Sequence, residues 1–269
     1  MHTPRCHHAS GTVREYAEAA IAAGLKEIGM SDHSPMPNGY MDDWRMGPEE
    51  LHSYLTEVEQ VRDALSRKLT LRVGIEADFR VGSEAGLQRL INLYDWDYVM
   101  GSVHYIGDWD FDNPARLAHW DEVGVEEVYC TYFELVAQSA ASGMFDIIGH
   151  PDLIKKFGHR PPAGSERVLA AEEAMLQAVK TADVALEISS AGLRKPVGEI
   201  YPHARIVARA AELGIPFAYG SDAHGPDAVA HGMDECLELL QSCGVNEICS
   251  FKARRRSMLP IRRVEPARA

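Results

Sequence analysis

Metal-capable side chains in this chain recur at one kind of place, just after a short apolar run. Leu25–Met30 is followed by Ser31, Asp32 and His33. Leu69–Glu76 ends in Glu76, with Asp78 beyond it. Asp97–Val103 runs into His104, Phe145–Gly149 into His150, and Phe217–Gly220 into Ser221, Asp222, Ala223 and His224. Between these runs the apolar spacing is helical, over Val13–Ala23, Pro48–Leu65, Gly86–Leu93, Val125–Ala141, Ser165–Ala182, His203–Leu213 and, mostly, Pro226–Ser242. Ala185–Ile188 and Glu247–Phe251 read as two more short strands. Strands that alternate with helices require a parallel sheet, because only a crossover of this length returns the chain to the same end. Six or seven such units with no linker predict one barrel over residues 1–261. In a parallel barrel the site lies at the C-terminal ends of the strands, which is where these side chains fall.

Two loops, Pro35 to Gly47 and Ile106 to Val123, are long enough to belong to a site. The end, Lys252 to Ala269, is basic and is read as a tail frayed after Ile261, its arginines solvated.

The bulk numbers exclude several classes. The 269 residues carry 27 Lys and Arg against 40 Asp and Glu, a net charge of −13. Such a chain repels a phosphate backbone, so a nucleic-acid partner is not expected. Five cysteines without a Cys-x-x-Cys pair argue against a disulfide framework and for a reducing compartment. With no apolar run of membrane length and no leader-like start, the expectation is a cytoplasmic protein, a monomer or small homo-oligomer.

Imidazole and carboxylate suit zinc, iron and manganese. His2, His8, His33, Glu76, His104, His150, Asp222 and His224 are the candidate ligands, enough for two or three divalent ions. His52, His119, His203 and His231 read as ordinary surface or helix residues. One His after one strand is more often a hydrogen-bonded loop residue; the recurrence over five strand ends is what points to metal. Two metals about 3.5–4 Å apart stabilise the attacking and leaving oxygens of an in-line displacement. That pattern points to hydrolysis of a phosphate ester.

These blocks resemble the PHP (polymerase and histidinol phosphatase) superfamily, and within it the monofunctional histidinol-phosphate phosphatases. The resemblance rests on Met1 to Ala9, Ser31 to Pro37, Gly74 to Asp78, Gly101 to Tyr105, Gly149 to Asp152, Lys155 to Gly158, Ser190 to Pro196 and Gly220 to His224. It covers Met1 to about His224. It implies a distorted (β/α)7 barrel of parallel strands, TIM-like, with a trinuclear site. His2, Glu76 and Asp222 would hold one metal; Glu76 as a bridge with His104 and His150 a second; His8, His33 and His224 a third. The implied substrate is a small-molecule phosphate monoester, L-histidinol phosphate.

One departure stands out. The family's first ligand is a His two residues before His2, at the end of the first barrel strand. This chain lacks both, so its natural start is expected upstream. As given, it is expected to be weakly active and poorly stable, with unpaired strand edges beside the gap.

For the chemistry, His33 and Asp32 are the candidates to protonate the leaving alkoxide. Arg160 and Arg194 are candidates for the phosphoryl oxygens, since guanidinium forks match phosphate. Asp112 and Asp78 are candidates for a cationic leaving group, with Tyr105 or Trp109 stacking on its ring. Cys6 reads as a small buried support for His2 and His8. The competing readings are another PHP-type phosphoesterase, acting on a nucleotide, phosphopeptide or nucleic-acid end, and a non-catalytic metal-binding homologue.

Overall fold

The computed structural model describes residues 1–37 and 42–261. Six parallel strands form one curled sheet in the order β1 (Glu27–Met30), β2 (Thr70–Asp78), β3 (Tyr98–Ser102), β6 (Ile147–Ile148), β7 (Ala185–Ser189) and β8 (Phe217–Gly220). The missing numbers are a small antiparallel pair, β4 (Tyr105–Ile106) and β5 (Trp109–Asp110), which stands on the loop after β3. The helices are α1 (Val13–Ala22), α2 (Leu51–Leu65), α3 (Glu84–Ile91), α4 (Val125–Ala141), α5 (Glu166–Ala182), α6 (Ala204–Glu212) and α7 (Met233–Ser242).

Local sequence explains each piece. In α1 the apolar face Val13, Tyr16, Ala17 and Ala20 is buried at helical spacing. Its first turn is closed by a capping box, Glu15 N–H to Thr12 Oγ1 at 3.2 Å and Thr12 N–H to Glu15 Oε2 at 2.7 Å. Ser165 caps α5 through the Val168 N–H at 3.2 Å. Strands β3 and β7 are buried at every position, as parallel strands covered on both faces must be.

Inside the curl, Tyr98 lies across its neighbours. A Cβ on Gly29 or Gly74 would come within 2.2 or 2.4 Å of the Tyr98 side chain, so both positions need glycine. Tyr98, Met100, Ile147, Ala185 and Ala218 form a small inner core with Cys249 and Phe251. The last two belong to β9 (Glu247–Lys252), which is not a further parallel strand. It folds back on β10 (Arg255–Pro260) as an antiparallel hairpin beneath the sheet.

This changes the reading of the chain's basic end. Arg254 pairs with Asp146 at 2.9 Å and Arg256 with Asp183 at 2.7 Å, so these arginines anchor the hairpin. The frayed tail read for 262–269 lies outside the described residues. The helix expected over Pro226–Ser242 is shorter, because Gly232 takes a left-handed φ of 67° and α7 starts only at Met233. The long loop from Ile106 to Val123 carries β5 and a 3₁₀ turn over Pro114–Asp121.

Among the described residues, no strand pairs with the outer edges of β1 and β8. Met1 and His2 bridge the upper end of this seam. Ser31 N–H donates to the Met1 carbonyl at 2.9 Å, and His2 N–H donates to the Ala223 carbonyl at 3.0 Å. Below them lies a cavity of about 200 Å³, walled by both edges, Tyr98, Glu187 and the hairpin residues Cys249 and Phe251.

Candidate metal centre

The sheet delivers its ligating groups to one mouth. Glu76, on β2, is at the middle. His150 Nε2 lies 3.0 Å from Glu76 Oε1 and His104 Nε2 3.7 Å from the same oxygen. On the other oxygen, His2 Nε2 lies at 3.3 Å and His33 Nδ1 at 3.7 Å. His2 Nε2 also meets Asp222 Oδ1 at 2.9 Å. His224 stacks on His2 with ring centres 4.1 Å apart, and His8 sits 4.5 Å from His224.

His2, Glu76 and Asp222 bring their ligand atoms within 4.8 Å of one another, as do His33, Glu76 and His104, and His2, His33 and His224. The pairing of His104 with His150 around Glu76 has ring centres 5.0 Å apart. His8 groups with His224 and with Cys6. Cys6 itself is fully buried beside them.

Two of these residues are held in left-handed backbone conformations, His150 at φ 23° and Asp222 at φ 46°. Each such residue costs on the order of 1–3 kcal/mol and persists only when its surroundings fix it. For His150 the restraint is visible: its N–H donates to Glu187 Oε2 at 2.6 Å, and its carbonyl accepts from Tyr132 Oη at 3.1 Å. For Asp222 it is Arg194, whose Nη2 donates to the Ser221 carbonyl at 2.5 Å and the Asp222 carbonyl at 3.3 Å.

His104 is oriented from behind. Its Nδ1 meets Asp78 Oδ1 at 2.7 Å, and Asp78 is paired with the buried Arg45 at 2.6 Å. A carboxylate on Nδ1 fixes the tautomer that leaves Nε2 free for metal. His2 has a similar support, with Nδ1 3.4 Å from Asp32.

The donor set fits divalent cations. His33 Nδ1, His150 Nδ1 and His224 Nε2 are buried ring nitrogens with no hydrogen-bond partner among the described residues. Burial, and next to it the charge of His2, pushes His33 and His224 well below the ordinary imidazole range, so both stand neutral with a lone pair free. Burial would raise the Glu76 carboxyl, yet His33, His150 and His2 outweigh it and hold Glu76 well below the carboxylate range. Burial would likewise lower His150, but the Glu76 hydrogen bond and the charges of Glu76, Glu187 and Asp222 lift it to about 9. Neutral His33 and His224, ionised Glu76 and orphaned ring nitrogens suit metal ligation, and His150 would give up its proton when a metal binds.

Above the cage a cavity of about 100 Å³ is lined by His8, His33, His104, His150, Asp222 and His224 on one side. Trp44, Arg45, Tyr105, Asp110, Asp112, Asn113, Lys156, Lys195 and Tyr201 complete its walls. The structure brings all eight expected ligands together, and places Tyr105 and Asp112 on the cavity wall.

Other candidates lie elsewhere. Asp32 is fully buried behind the cage, accepting from the Thr3 N–H and hydroxyl and the His33 N–H. Arg160 pairs with Glu199 at 2.6 Å, partly exposed, and is not among the lining residues. Arg194 grips the loop carbonyls from outside the cavity. Asp78 is sealed beneath His104, and Trp109 is packed against Trp120 and Phe111. Sequence reasoning missed Arg45, Trp44, Glu187, Lys156 and Lys195. The available signal was the long loop for the first two, and for the lysines the Lys155–Gly158 and Ser190–Pro196 blocks, to which no role was attached.

A curled parallel sheet with this cage at its mouth defines an α/β protein whose clustered imidazoles and carboxylates suit divalent cations. The chain belongs to the PHP domain family, whose model matches residues 1–191. A Deinococcus radiodurans protein named "Probable histidinol-phosphatase" is 45% identical over 244 residues, covering 91% of this chain and 92% of that one. A Bacillus subtilis histidinol-phosphatase is 28% identical, covering 88% of this chain and 97% of its own. The fold is also that of a histidinol phosphate phosphatase from Lactococcus lactis, solved with zinc, L-histidinol and phosphate. That match has a TM-score of 0.83 at 20% identity, over 96% of this chain and 97% of that one.

Proposed function

We infer that this protein is a metal-dependent histidinol-phosphatase that hydrolyses L-histidinol phosphate to L-histidinol and phosphate. The observation that carries the reading is the cage of His2, His8, His33, Glu76, His104, His150, Asp222 and His224 opening into a cavity whose wall includes Asp110, Asp112, Trp44 and Tyr105. The names of the Deinococcus and Bacillus relatives support the substrate.

Two or three divalent ions, zinc, iron or manganese, would be held by these eight side chains, with Glu76 shared. When bound, they make hydroxide available near neutral pH and neutralise charge on the phosphoryl oxygens. The chain's own groups do the rest. The cage fixes the phosphoryl end of the ester. Asp110, Asp112, Tyr105 and Trp44 face the other end, where histidinol carries an amine and an imidazole. Asp112 is held ionised: burial would raise it, but Lys156 beside it at 3.1 Å and His104 bring it below its ordinary value. Arg194 and Asp32 act at one remove, the first fixing the Asp222 loop and the second supporting His2 and the Thr3 turn.

The test is phosphate release from histidinol phosphate at neutral pH with manganese or zinc, before and after chelation. Metal-restored turnover that exceeds the rate on nucleoside monophosphates is the expected result. Equal or faster turnover of a nucleotide would reassign the substrate. Tight metal binding without release from any monoester would make the chain a metal-binding homologue.

A further inference from the structure

Cys6 is fully buried against the cage, where any small apolar residue would serve to support His2 and His8. Its sulfur has closer company than a support needs. Cys6, His8 and His224 bring one ligand atom each within 4.8 Å of one another. Among the described residues this is the three-ligand group that contains His8. His33 instead groups with His2 and His224, and with Glu76 and His104.

The backbone holds this trio in place. In the 3₁₀ turn Pro4–Cys6, Cys6 N–H donates to the Thr3 carbonyl at 3.1 Å and His7 N–H to the Pro4 carbonyl at 3.0 Å. His7 then takes a left-handed φ of 65°, which reverses the chain and brings His8 back beside Cys6. His8 Nδ1 donates to the Cys6 carbonyl at 2.6 Å, which leaves its Nε2 for a ligand bond. His224 is set in the same way. Its Nδ1 donates to the Asp222 carbonyl at 3.0 Å, and its Nε2 is buried with no hydrogen-bond partner among the described residues. Ser10 N–H, donating to the His224 carbonyl at 2.9 Å, ties the turn to the loop after β8.

His8 and His224 line the cavity above the cage and Cys6 lies behind them. Three protein donors with one side open to the cavity match a zinc site that keeps a position for water or substrate. We propose that the Cys6 thiolate is a ligand of the outer metal ion, alongside His8 and His224. This rests on the metal-dependent reading inferred above. On binding, the thiol loses its proton to solvent. Thiolate is a soft donor that selects zinc, whereas carboxylate suits manganese. The ions of this centre are therefore unequal: the outer position takes zinc in preference to manganese, and the positions built on Glu76 and Asp222 accept either.

The experiment titrates the chelated protein with cobalt(II), which occupies zinc sites and reports its ligands by absorbance. Wild-type protein is compared with Cys6→Ser, Cys6→Ala and Cys243→Ser, the last at the partly exposed cysteine. Wild type should show visible ligand-field bands and a near-ultraviolet thiolate-to-cobalt charge-transfer band that saturates with one equivalent. The charge-transfer band should be lost in both Cys6 variants and kept in Cys243→Ser. Ligand-field bands from the remaining ions should persist in all of them, which separates loss of the thiolate from loss of the fold. Zinc retained by the Cys6 variants should fall by one equivalent, and retained manganese should stay at the wild-type level. Outer-site zinc affinity should weaken by more than the about 10- to 100-fold that follows loss of a partner outside the ligand shell. Ligand-field bands without charge transfer in wild type overturn the proposal and leave the metal centre standing. A charge-transfer band that survives in both Cys6 variants overturns it as well. A wild-type protein that gives neither kind of band removes the metal-dependent reading and the proposal together.

Discussion

Replacing Arg45 by Met tests the chain of contacts that holds His104. Arg45 is 6% exposed and Asp78 2% exposed, and their 2.6 Å contact is shielded from water. Asp42, also paired with Arg45, accepts from Tyr105 Oη at 2.6 Å. Removing one partner of such a buried pair costs about 3–5 kcal/mol, because the remaining charge stays desolvated.

The Asp78 carboxyl gives a second measure. Burial would raise its pKa, but His104 and Arg45 bring it from 3.8 to about 2. A difference of 3.8 − 2, about 2 pKa units, corresponds to about 2.5 kcal/mol. Since the folded value is depressed, this stabilisation is present above pH 3.8 and lost as pH falls through about 2. Part of it belongs to His104, so the two measures together put the cost of Arg45→Met at about 2–4 kcal/mol at pH 7. Urea unfolding of the chelated protein measures this. Without Arg45, Asp78 is also free to turn from His104, and loss of an orienting partner weakens metal binding about 10- to 100-fold. Adding Asp78→Asn to Arg45→Met should recover stability but not metal affinity. A loss below about 1 kcal/mol, or unchanged metal affinity, would refute the argument.

Other outcomes follow from the same geometry. Glu76→Gln removes the carboxylate that four imidazoles share, so bound metal and turnover should fall more than about 100-fold, read by elemental analysis and phosphate release. In the chelated protein His150, lifted to about 9, stabilises the fold below its ordinary 6.5, and this contribution is lost as pH rises through 9. Glu187, raised by burial to about 7, loses stability in the same direction as pH climbs from 4.5. Metal needs deprotonated ligands, so the gap in melting temperature between loaded and chelated protein should widen from pH 6 to pH 9; a narrowing gap would contradict this. Gly74→Ala sets a Cβ 2.4 Å from the Tyr98 ring and should cost about 1–3 kcal/mol by urea unfolding, with Tyr98→Leu in the same chain relieving it.

The parallel sheet and the candidate ligands at its strand ends were readable because five of the six parallel strands repeat the same short-range signal, an apolar run that ends in or is followed by His, Asp or Glu. The hairpin β9–β10 was not, because its turn uses Ala253 and Arg254 at φ 48° and 60°. Such two-residue turns usually announce themselves with Asn or Gly; here the arginine contacts to Asp146 and Asp183 overrule local preference. The break before α7 was marked by Gly232, but helical spacing on both sides masked it. In the site, the candidate ligands stood out because metal chemistry restricts residue type. Arginine roles were not, because a guanidinium's partner is set in space. Arg194 and Lys195 are adjacent in sequence, yet one grips backbone outside the cavity and the other faces its interior. Arg45 gained its importance from Asp78, which lies on β2, far along the chain.

The seam between β1 and β8 gives the metal centre a second consequence. His33 stands at the β1 side, Asp222 and His224 at the β8 side, and His2 in the strap between them. Ions bound to this set would act as rivets across a line where, among the described residues, the sheet has no ladder of backbone hydrogen bonds. Removing them should loosen the two sides unevenly. Amides of β1 and β8 should exchange with solvent much faster on chelation, while those of β3 and β6, hydrogen-bonded to neighbours on both sides, keep their protection. The molecule would then breathe along its seam, and a chelator would behave towards it as a local denaturant.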